Sequence, residues 1–300
     1  MTTEAIDDYP AELEAEELIE QPEYEQSKMP WGIKLAIAWL VLMVIFAFFA
    51  NWLPGVKPPN ELGAFRGLDR LEPPSSRAWL GTDGLGRDIL ARIIHGARIS
   101  LTVATVAVLF GLIVGGGLGM IAGYVRGRTE AVIMASVDIV LAFPALIILL
   151  TLVAFLGQNL ITISLVIGAL SVPRYARVAR AITLSVAQRE FVLASGAMGA
   201  DRLRVLWRDV MPNVLPALSA FALVSAGVVI VLEGTLAFLG LSVEAPQATW
   251  GSMINESRQN LAIRLHPLIF PSAVMFITVL ALNYVGDYLR KKFNVKESGI

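Results

Sequence analysis

Several residue types that other protein classes depend on are scarce or missing in this 300-residue chain. It has no cysteine, which excludes disulfides, a thiolate nucleophile and cysteine-ligated metal sites. The two histidines, His95 and His266, are far apart in sequence, so neither a histidine metal site nor a Ser/His/Asp triad is expected. A P-loop requires a Gly-Lys dipeptide, and none occurs. These absences argue against an enzyme and against nucleotide hydrolysis by this chain.

Charged residues are also scarce. They make up 16% of the chain, whereas 56% of the residues are hydrophobic. Soluble domains carry about 25% charged residues, because their surface must be hydrated. The composition therefore excludes the soluble, disordered and fibrous classes and indicates a membrane protein.

Residues 1–28 form an acidic segment. They contain ten acidic residues and one base, Lys28, so their net charge is −9, and residues 29–300 carry +8 of the total of −1. The acidic flank and the long apolar stretch that follows it do not match a cleavable signal peptide. Low hydrophobicity and high charge predict a solvated, mostly disordered cytoplasmic tail. A docking segment for a cytoplasmic partner is the alternative.

The apolar stretches set the number of membrane crossings. A spanning helix needs about 20 apolar residues. Five stretches reach this length, at residues 31–53, 99–123, 131–156, 213–241 and 267–289. A sixth, at 160–173, would form a helix only about 21 Å long. Its length alone predicts a re-entrant segment.

Basic residues decide how the short segment is placed. They cluster in the connections at 126–128 and 174–208 and after the last span at 290–292. Positive charge favours the cytoplasmic side. All three clusters can lie there only if the short segment also crosses, with its helix continuing past Pro173. We therefore predict an all-α membrane protein with six transmembrane helices and both termini cytoplasmic.

This topology divides the chain into four parts. Residues 1–28 are the acidic tail, and residues 29–98 hold the first span and an extracytoplasmic loop. Residues 99–289 form the transmembrane core, and residues 290–300 form a cytoplasmic C-terminal tail.

The second span carries a glycine at every fourth position, at Gly111, Gly115, Gly119 and Gly123. Residues four apart share one helix face. In a membrane, a glycine face allows another helix to approach closely. Static helix packing and a sliding seam in a moving bundle are both compatible with this pattern.

Two carboxylates fall inside predicted spans. Asp138 lies in the cytoplasmic third of the third span, and Glu233 lies in the outer half of the fifth. Intramembrane carboxylates are costly and are functional candidates by default. Pro144 removes a backbone hydrogen bond and predicts a kink in the third span. All three residues are candidates for a translocation path or its gate; for each acid, a structural ion pair or cap is the alternative.

The connection at 174–212 has the composition of a docking loop. Residues 191–198 predict a short helix with Gly199 as its C-cap. Residues 203–210 predict a second, amphipathic helix, and Pro212 and Pro216 are predicted to open the next span. Two short helices held at the membrane face suit insertion into a groove of a partner protein. A solvated basic loop is the alternative.

This loop resembles the cytoplasmic motif of the permease subunits of bacterial ABC importers for dipeptides, oligopeptides and nickel. Within that family the chain is most similar to the second permease of the pair. The family motif, approximately Glu-Ala-Ala-x-x-x-Gly followed by Leu-Pro, is matched by F-V-L-A-S-G-A-M-G-A from residue 191 and M-P-N-V-L-P from residue 211, with Leu193 in place of the Glu. Further matching segments lie, in order, at 81–88, 96–101, 138–146, 173–180, 232–243 and 283–290.

The resemblance implies the type I ABC importer permease fold. Such a subunit pairs with a second, homologous permease; two ATPase subunits dock on the cytoplasmic side, and an extracytoplasmic binding protein delivers substrate. The residues implied in ATPase docking are Phe191, Leu193, Ala194, Ser195, Gly196, Met198 and Gly199.

The implied function is transport of di- or oligopeptides across the cytoplasmic (inner) membrane of a bacterium or archaeon. The chain itself would catalyse no reaction and hold no metal or cofactor, because ATP and Mg²⁺ belong to the ATPase subunits. No nucleic acid partner is expected. A permease for nickel or another small solute is the alternative within the family. A secondary transporter, a membrane scaffold and a membrane enzyme are the alternatives outside it.

Overall fold

The computed structural model describes residues 29–52, 58–61 and 69–298, with side chains up to residue 293. Helices are the regular elements of this part, together with an isolated bridge between Thr82 and Asp88. The helices are α1 (Trp31–Phe49), α2 (Ile89–Phe110), α3 (Gly116–Val125), α4 (Gly127–Leu141), α5 (Ala145–Leu156), α6 (Leu160–Val186), α7 (Glu190–Ala197), α8 (Arg202–Val205), α9 (Met211–Phe238), α10 (Trp250–Ser257) and α11 (His266–Ser298). The predicted acidic tail, residues 1–28, lies outside the described residues.

Six segments of the described chain are long and apolar enough to cross a membrane. Five are continuous: Trp31–Phe49, Ile89–Val125, Leu160–Val186, Arg202–Phe238 and His266–Phe293. The sixth consists of α4 and α5 together, which are bent by 79°. The predicted all-α membrane fold is confirmed, with six spans when the bent pair counts as one.

The fourth span continues past its proline, as predicted. Its helix, α6, has 27 residues, and Pro173 lies inside it. A helix of that length is about 40 Å long, which is enough to cross a bilayer. The prediction of a re-entrant segment, which rests on length alone, is therefore wrong.

The second span begins at Ile89 and not at residue 99, so the boundary predicted from hydropathy is wrong. Hydropathy places this boundary after the basic residues of the 81–98 region. In the structure Arg92 is paired with Asp83 at 2.6 Å and with Glu256 at 3.0 Å. A paired arginine can be buried in a helix, whereas hydropathy counts it as a loop residue.

The third span is split at Pro144. The predicted kink is confirmed, and it is large: α4 ends at Leu141, α5 begins at Ala145, and Pro144 is extended at φ −60° and ψ 114°. Proline cannot donate a backbone hydrogen bond, and it disfavours helical backbone at the preceding residue, Phe143. The two halves are therefore separate helices.

The fifth span also begins earlier than predicted. It runs from Arg202 to Phe238 without a break, so Pro212 and Pro216 lie inside the span, although Pro212 stands in the first turn of its α-helical part, α9. A π-helical turn, Leu206–Val210, comes directly before this proline. Such a turn changes the register of the backbone hydrogen bonds, and a residue without an N–H group fits there.

The spans pack around α6, which contacts α2, α3, α5 and α9, while α11 packs on α9 and α1. One end of the bundle carries α7 and α8, and we call it the coupling end; the other end, with α10 and residues 81–88, is the opposite end. The bent pair is covered least: α4 and α5 bury only Val137, Leu149 and Val153.

Candidate coupling surface and translocation path

The helix α7 is ended by a glycine. Gly199 adopts φ +87°, a left-handed conformation that glycine tolerates best. Its N–H donates to the Gly196 carbonyl at 3.0 Å, and the Ala200 N–H donates to the Ser195 carbonyl at 3.2 Å. This pair of hydrogen bonds is a Schellman motif. The predicted short helix and its glycine cap are confirmed to within one residue at each end.

One face of α7 is anchored in the protein. Val192 is buried in an apolar cluster at the coupling end. The other buried members of this cluster are Val186, Val205, Leu206, Val210 and Val214. Because they belong to the end of α6 and to the α8–α9 segment, α7 is fixed to two membrane spans at once.

The other face of α7 is apolar and exposed. Leu193 is 60% exposed and Met198 is 83% exposed, and Phe191 lies beside them in the open. Ala194, Gly196 and Gly199 are exposed as well, and Ser195 is half-buried. Exposed apolar side chains at a position outside the spans indicate a protein interaction site. The seven predicted docking residues are thus all exposed or half-buried, and we call them together the α7 cap.

The glycines of the second span lie against α6. A Cβ atom placed on Gly115 would be 2.4 Å from the Val172 carbonyl oxygen, and one on Gly119 would be 2.3 Å from that of Ala176. No side chain fits at these distances, so glycine permits this close approach of the two backbones. The other two glycines of the stripe, Gly111 and Gly123, contact Tyr175 and the Arg180–Thr183 region of α6.

We expect Gly119→Ala to destabilise the protein. The added methyl group meets a carbonyl oxygen at 2.3 Å and must force α3 and α6 apart, at a cost of about 1–3 kcal/mol. The matched control is Gly117→Ala on the same helix, where a Cβ meets no atom within 4 Å. The control should be neutral or stabilising by up to about 1 kcal/mol. Thermal unfolding of both variants in lipid nanodiscs measures the difference, and equal unfolding temperatures would show that the seam is not tightly packed.

Glu233 lies inside the bundle at the opposite end. Glu233 is only 1% exposed, and the Ser242 hydroxyl donates a hydrogen bond to its Oε1 at 2.7 Å. Ser242 lies in the connection between α9 and α10, so this hydrogen bond ties that connection to α9. Within this chain Glu233 is enclosed.

Asp138 lies in very different surroundings. Its Oδ1 accepts a hydrogen bond from Nη2 of Arg177 on α6 at 2.6 Å, and both side chains are more than half exposed. A second pair, Arg180 with Glu130, links the same two helices closer to the coupling end, with 2.6 Å from Nε to Oε1. The structure thus places one predicted acid in the core and the other on an open face.

An ionic cluster at the opposite end was not identified from the sequence. Arg92 is buried and contacts Asp83 and Glu256, and Arg87 contacts the same two acids, with 2.7 Å from its Nε to Asp83. The segment 81–88 carries the sequence match, but a contact with residue 256 has no signal in the sequence. Arg177 was missed as a partner of Asp138 for the same reason. Among the described residues, no group of three His, Asp or Glu side chains could hold a metal ion.

Comparison with known sequences identifies the family. Residues 115–296 match the model of the binding-protein-dependent transport system inner membrane component. A glutathione transport system permease protein, GsiD, from Pectobacterium atrosepticum is 36% identical over 258 residues, covering 86% of this chain and 84% of that protein. Its counterpart from Escherichia coli O6:K15:H31 is 34% identical over 265 residues, covering 88% of this chain and 86% of that protein.

Comparison with solved structures gives the fold. An inward-facing structure of the MetNI methionine ABC transporter matches with a TM-score of 0.56 and 18% identity, covering 68% of this chain and 97% of the matched chain. A second crystal form of that transporter, from a selenomethionine soak, matches with a TM-score of 0.56 and 19% identity, covering 68% and 96%. The predicted type I importer permease fold and multi-pass inner-membrane location are confirmed. The chain belongs to the binding-protein-dependent inner membrane components, the permease subunits of ABC importers.

Proposed function

We propose that the chain is one of two permeases in an ATP-driven peptide importer and that partner ATPases drive it through the α7 cap. The observation that carries this proposal is the construction of α7: one face is fixed to two spans by Val192, and the other presents apolar side chains to a partner. A helix held in this way transmits motion between a partner and the bundle. Such a transition needs a two-state bundle whose equilibrium a partner can bias.

The rest of the complex follows from the family. ATP and Mg²⁺ bind to two ATPase subunits, since this chain has no P-loop sequence. A second permease completes the translocation path, and an extracytoplasmic binding protein delivers the substrate. The coupling end, with the basic residues around 126–128 and 174–208, faces the cytoplasm. Both termini then lie on the cytoplasmic side, and residues 81–88 and α10 face outward.

The substrate class we propose is peptides, with glutathione as the first to test. The two relatives named above are glutathione transport permeases and align over most of this chain. The translocation path or its gate is built from the broken span, with Asp138 and Pro144, and from the region that Glu233 holds together. The close approach of α3 and α6 at the glycine stripe supports the packing interpretation of the stripe.

Reconstitution of the complete complex in proteoliposomes tests this function. We expect glutathione uptake that requires ATP, the binding protein and this chain, and glutathione-loaded binding protein should stimulate ATP hydrolysis. Omission of this chain is the control. Glutathione uptake by this chain alone without ATP would favour the secondary transporter. ATP-driven uptake of a nickel chelate but of no peptide would favour the other branch of the family.

A further inference from the structure

The exposed ion pair Asp138–Arg177 lies well inside two membrane spans. Asp138 is about 17 Å along α4 from Gly127, and Arg177 is about 14 Å from the coupling end of α6 at Val186, by the rise of a helix. Their side chains are 60% and 56% exposed. A charged side chain in contact with lipid is strongly disfavoured, so this face borders water or another protein chain.

A face that we expect to contact lipid looks different. Apart from Lys34 near its start, the large exposed side chains of α1 are apolar, and Phe48 is 77% exposed. The face of α4 that carries Asp138 instead borders a cleft of about 590 Å³ between α4 and α6. The cleft is lined by Gly127, Glu130, Ala131, Met134, Asp138, Arg177 and Arg180. Two acids and two arginines give it no net charge, which suits a ligand with charges of both signs.

The two ion pairs of the cleft differ in how firmly they are held. Arg180 contacts Oε1 of Glu130 through both Nε and Nη2, and this pair is the more buried of the two. Arg177 reaches Asp138 through a single hydrogen bond, from Nη2 to Oδ1. Within the described part of the chain, Oδ2 of Asp138 and the other guanidinium N–H groups of Arg177 make no further hydrogen bond. The first pair joins α4 to α6 through two contacts. The second pair leaves a carboxylate oxygen and several guanidinium N–H groups available for further hydrogen bonds.

We propose that Asp138 and Arg177 contact the charged ends of the transported peptide. The peptide ammonium group binds Oδ2 of Asp138, and a peptide carboxylate binds the remaining N–H groups of Arg177. An exposed ion pair contributes little to binding, so the peptide is oriented on the path without being trapped there. This inference rests on the proposed import of peptides and adds to it the residues that contact the charged groups of the substrate.

Access to the cleft can be measured first. The chain has no cysteine, so Met134→Cys gives it a single thiol beside Asp138, and Phe48→Cys is the lipid-facing control. In nanodiscs holding the whole complex, a charged thiosulfonate reagent should modify the thiol at 134 and not the thiol at 48, as read from the mass of this chain. Equal resistance of both thiols would place the cleft against lipid or a tight protein contact and would overturn the proposal.

Uptake of blocked peptides tests the contact itself. Asp138→Asn should lower ATP-driven glutathione uptake up to about fivefold, the size expected for an exposed contact between charged groups. It should leave N-acetylglutathione uptake, relative to the wild-type complex, unchanged. Arg177→Gln should lower the uptake of both peptides, and Asp287→Asn on the exposed Asp287–Arg290 pair should lower neither. Each uptake rate is divided by that of the wild-type complex for the same peptide. Because every complex has the same binding protein, the preference of that protein for one peptide over the other cancels in this ratio.

Two further outcomes separate the alternatives. Full recovery of uptake in the exchanged variant, Asp138→Arg with Arg177→Asp, or equal losses for both peptides in Asp138→Asn, would mean that the pair only packs α4 on α6 or on the second permease. Either result would overturn the contact while leaving peptide import in place. A wild-type complex without ATP-driven peptide uptake would instead contradict the proposed function, and the contact with it.

Discussion

Replacing Leu193 with Lys should uncouple the transporter. Leu193 is 60% exposed on the α7 cap, so a polar residue there costs this chain little folding free energy. Docked in a partner groove, the added ammonium group loses its hydration, and its charge is opposite to that of the Glu that the family motif has at this position. We expect glutathione-stimulated ATP hydrolysis by the assembled complex to fall roughly tenfold or more, in the range of ordinary coupling free energies.

The control for this prediction keeps the apolar character of the site. Leu193→Met should retain most of the stimulated ATPase rate, because volume and hydrophobicity are preserved. The amount of each variant in the membrane and its association with the ATPases are measured in parallel. If Leu193→Lys kept the full stimulated rate in an assembled complex, the α7 cap would not be the docking surface.

Replacing Arg92 with Leu should destabilise the opposite end more than any surface change there. Arg92 is 1% exposed and contacts Asp83 and Glu256 within hydrogen-bond distance. Its removal leaves the buried Asp83 with one cationic partner fewer. Breaking a buried ion pair by removing one partner costs about 3–5 kcal/mol.

Arg77→Leu is the matched control for that variant. Arg77 is 64% exposed and lies 3.9 Å from Glu72, so its loss should cost at most about 1 kcal/mol. Thermal unfolding of the two variants and of the wild-type protein in nanodiscs gives the comparison. Equal unfolding temperatures for the two variants would contradict the role assigned to the buried ionic cluster.

The spans and the α7 cap were predictable because their signals are local. Apolar length predicts a crossing, and a helix followed by glycine predicts a cap, whatever the rest of the chain does. The same holds for the glycine stripe at Gly111–Gly123, whose spacing alone places one smooth face on a helix. Local signals also gave the bend at Pro144, although its size depends on what the two halves pack against.

Contacts between distant residues were not predictable. Asp138 and Arg177 are separated by 39 positions and Arg92 and Glu256 by 164, and hydropathy says nothing about how two helices are rotated toward each other. The same limitation explains the misplaced start of the second span, where a buried arginine was counted as part of a loop. It also explains why Asp138 and Glu233 looked alike in the sequence, although one is open and the other is enclosed.

Photo-crosslinking from the α7 cap tests the central claim most directly. A benzoylphenylalanine at Met198, which is 83% exposed, is placed in the assembled complex, with Phe48 on the lipid-facing side of α1 as the control position. We predict an ATPase-subunit adduct from position 198 and none from position 48. If position 198 gave no ATPase adduct in a complex that imports peptide, the proposal that the ATPases drive this chain through α7 would be contradicted.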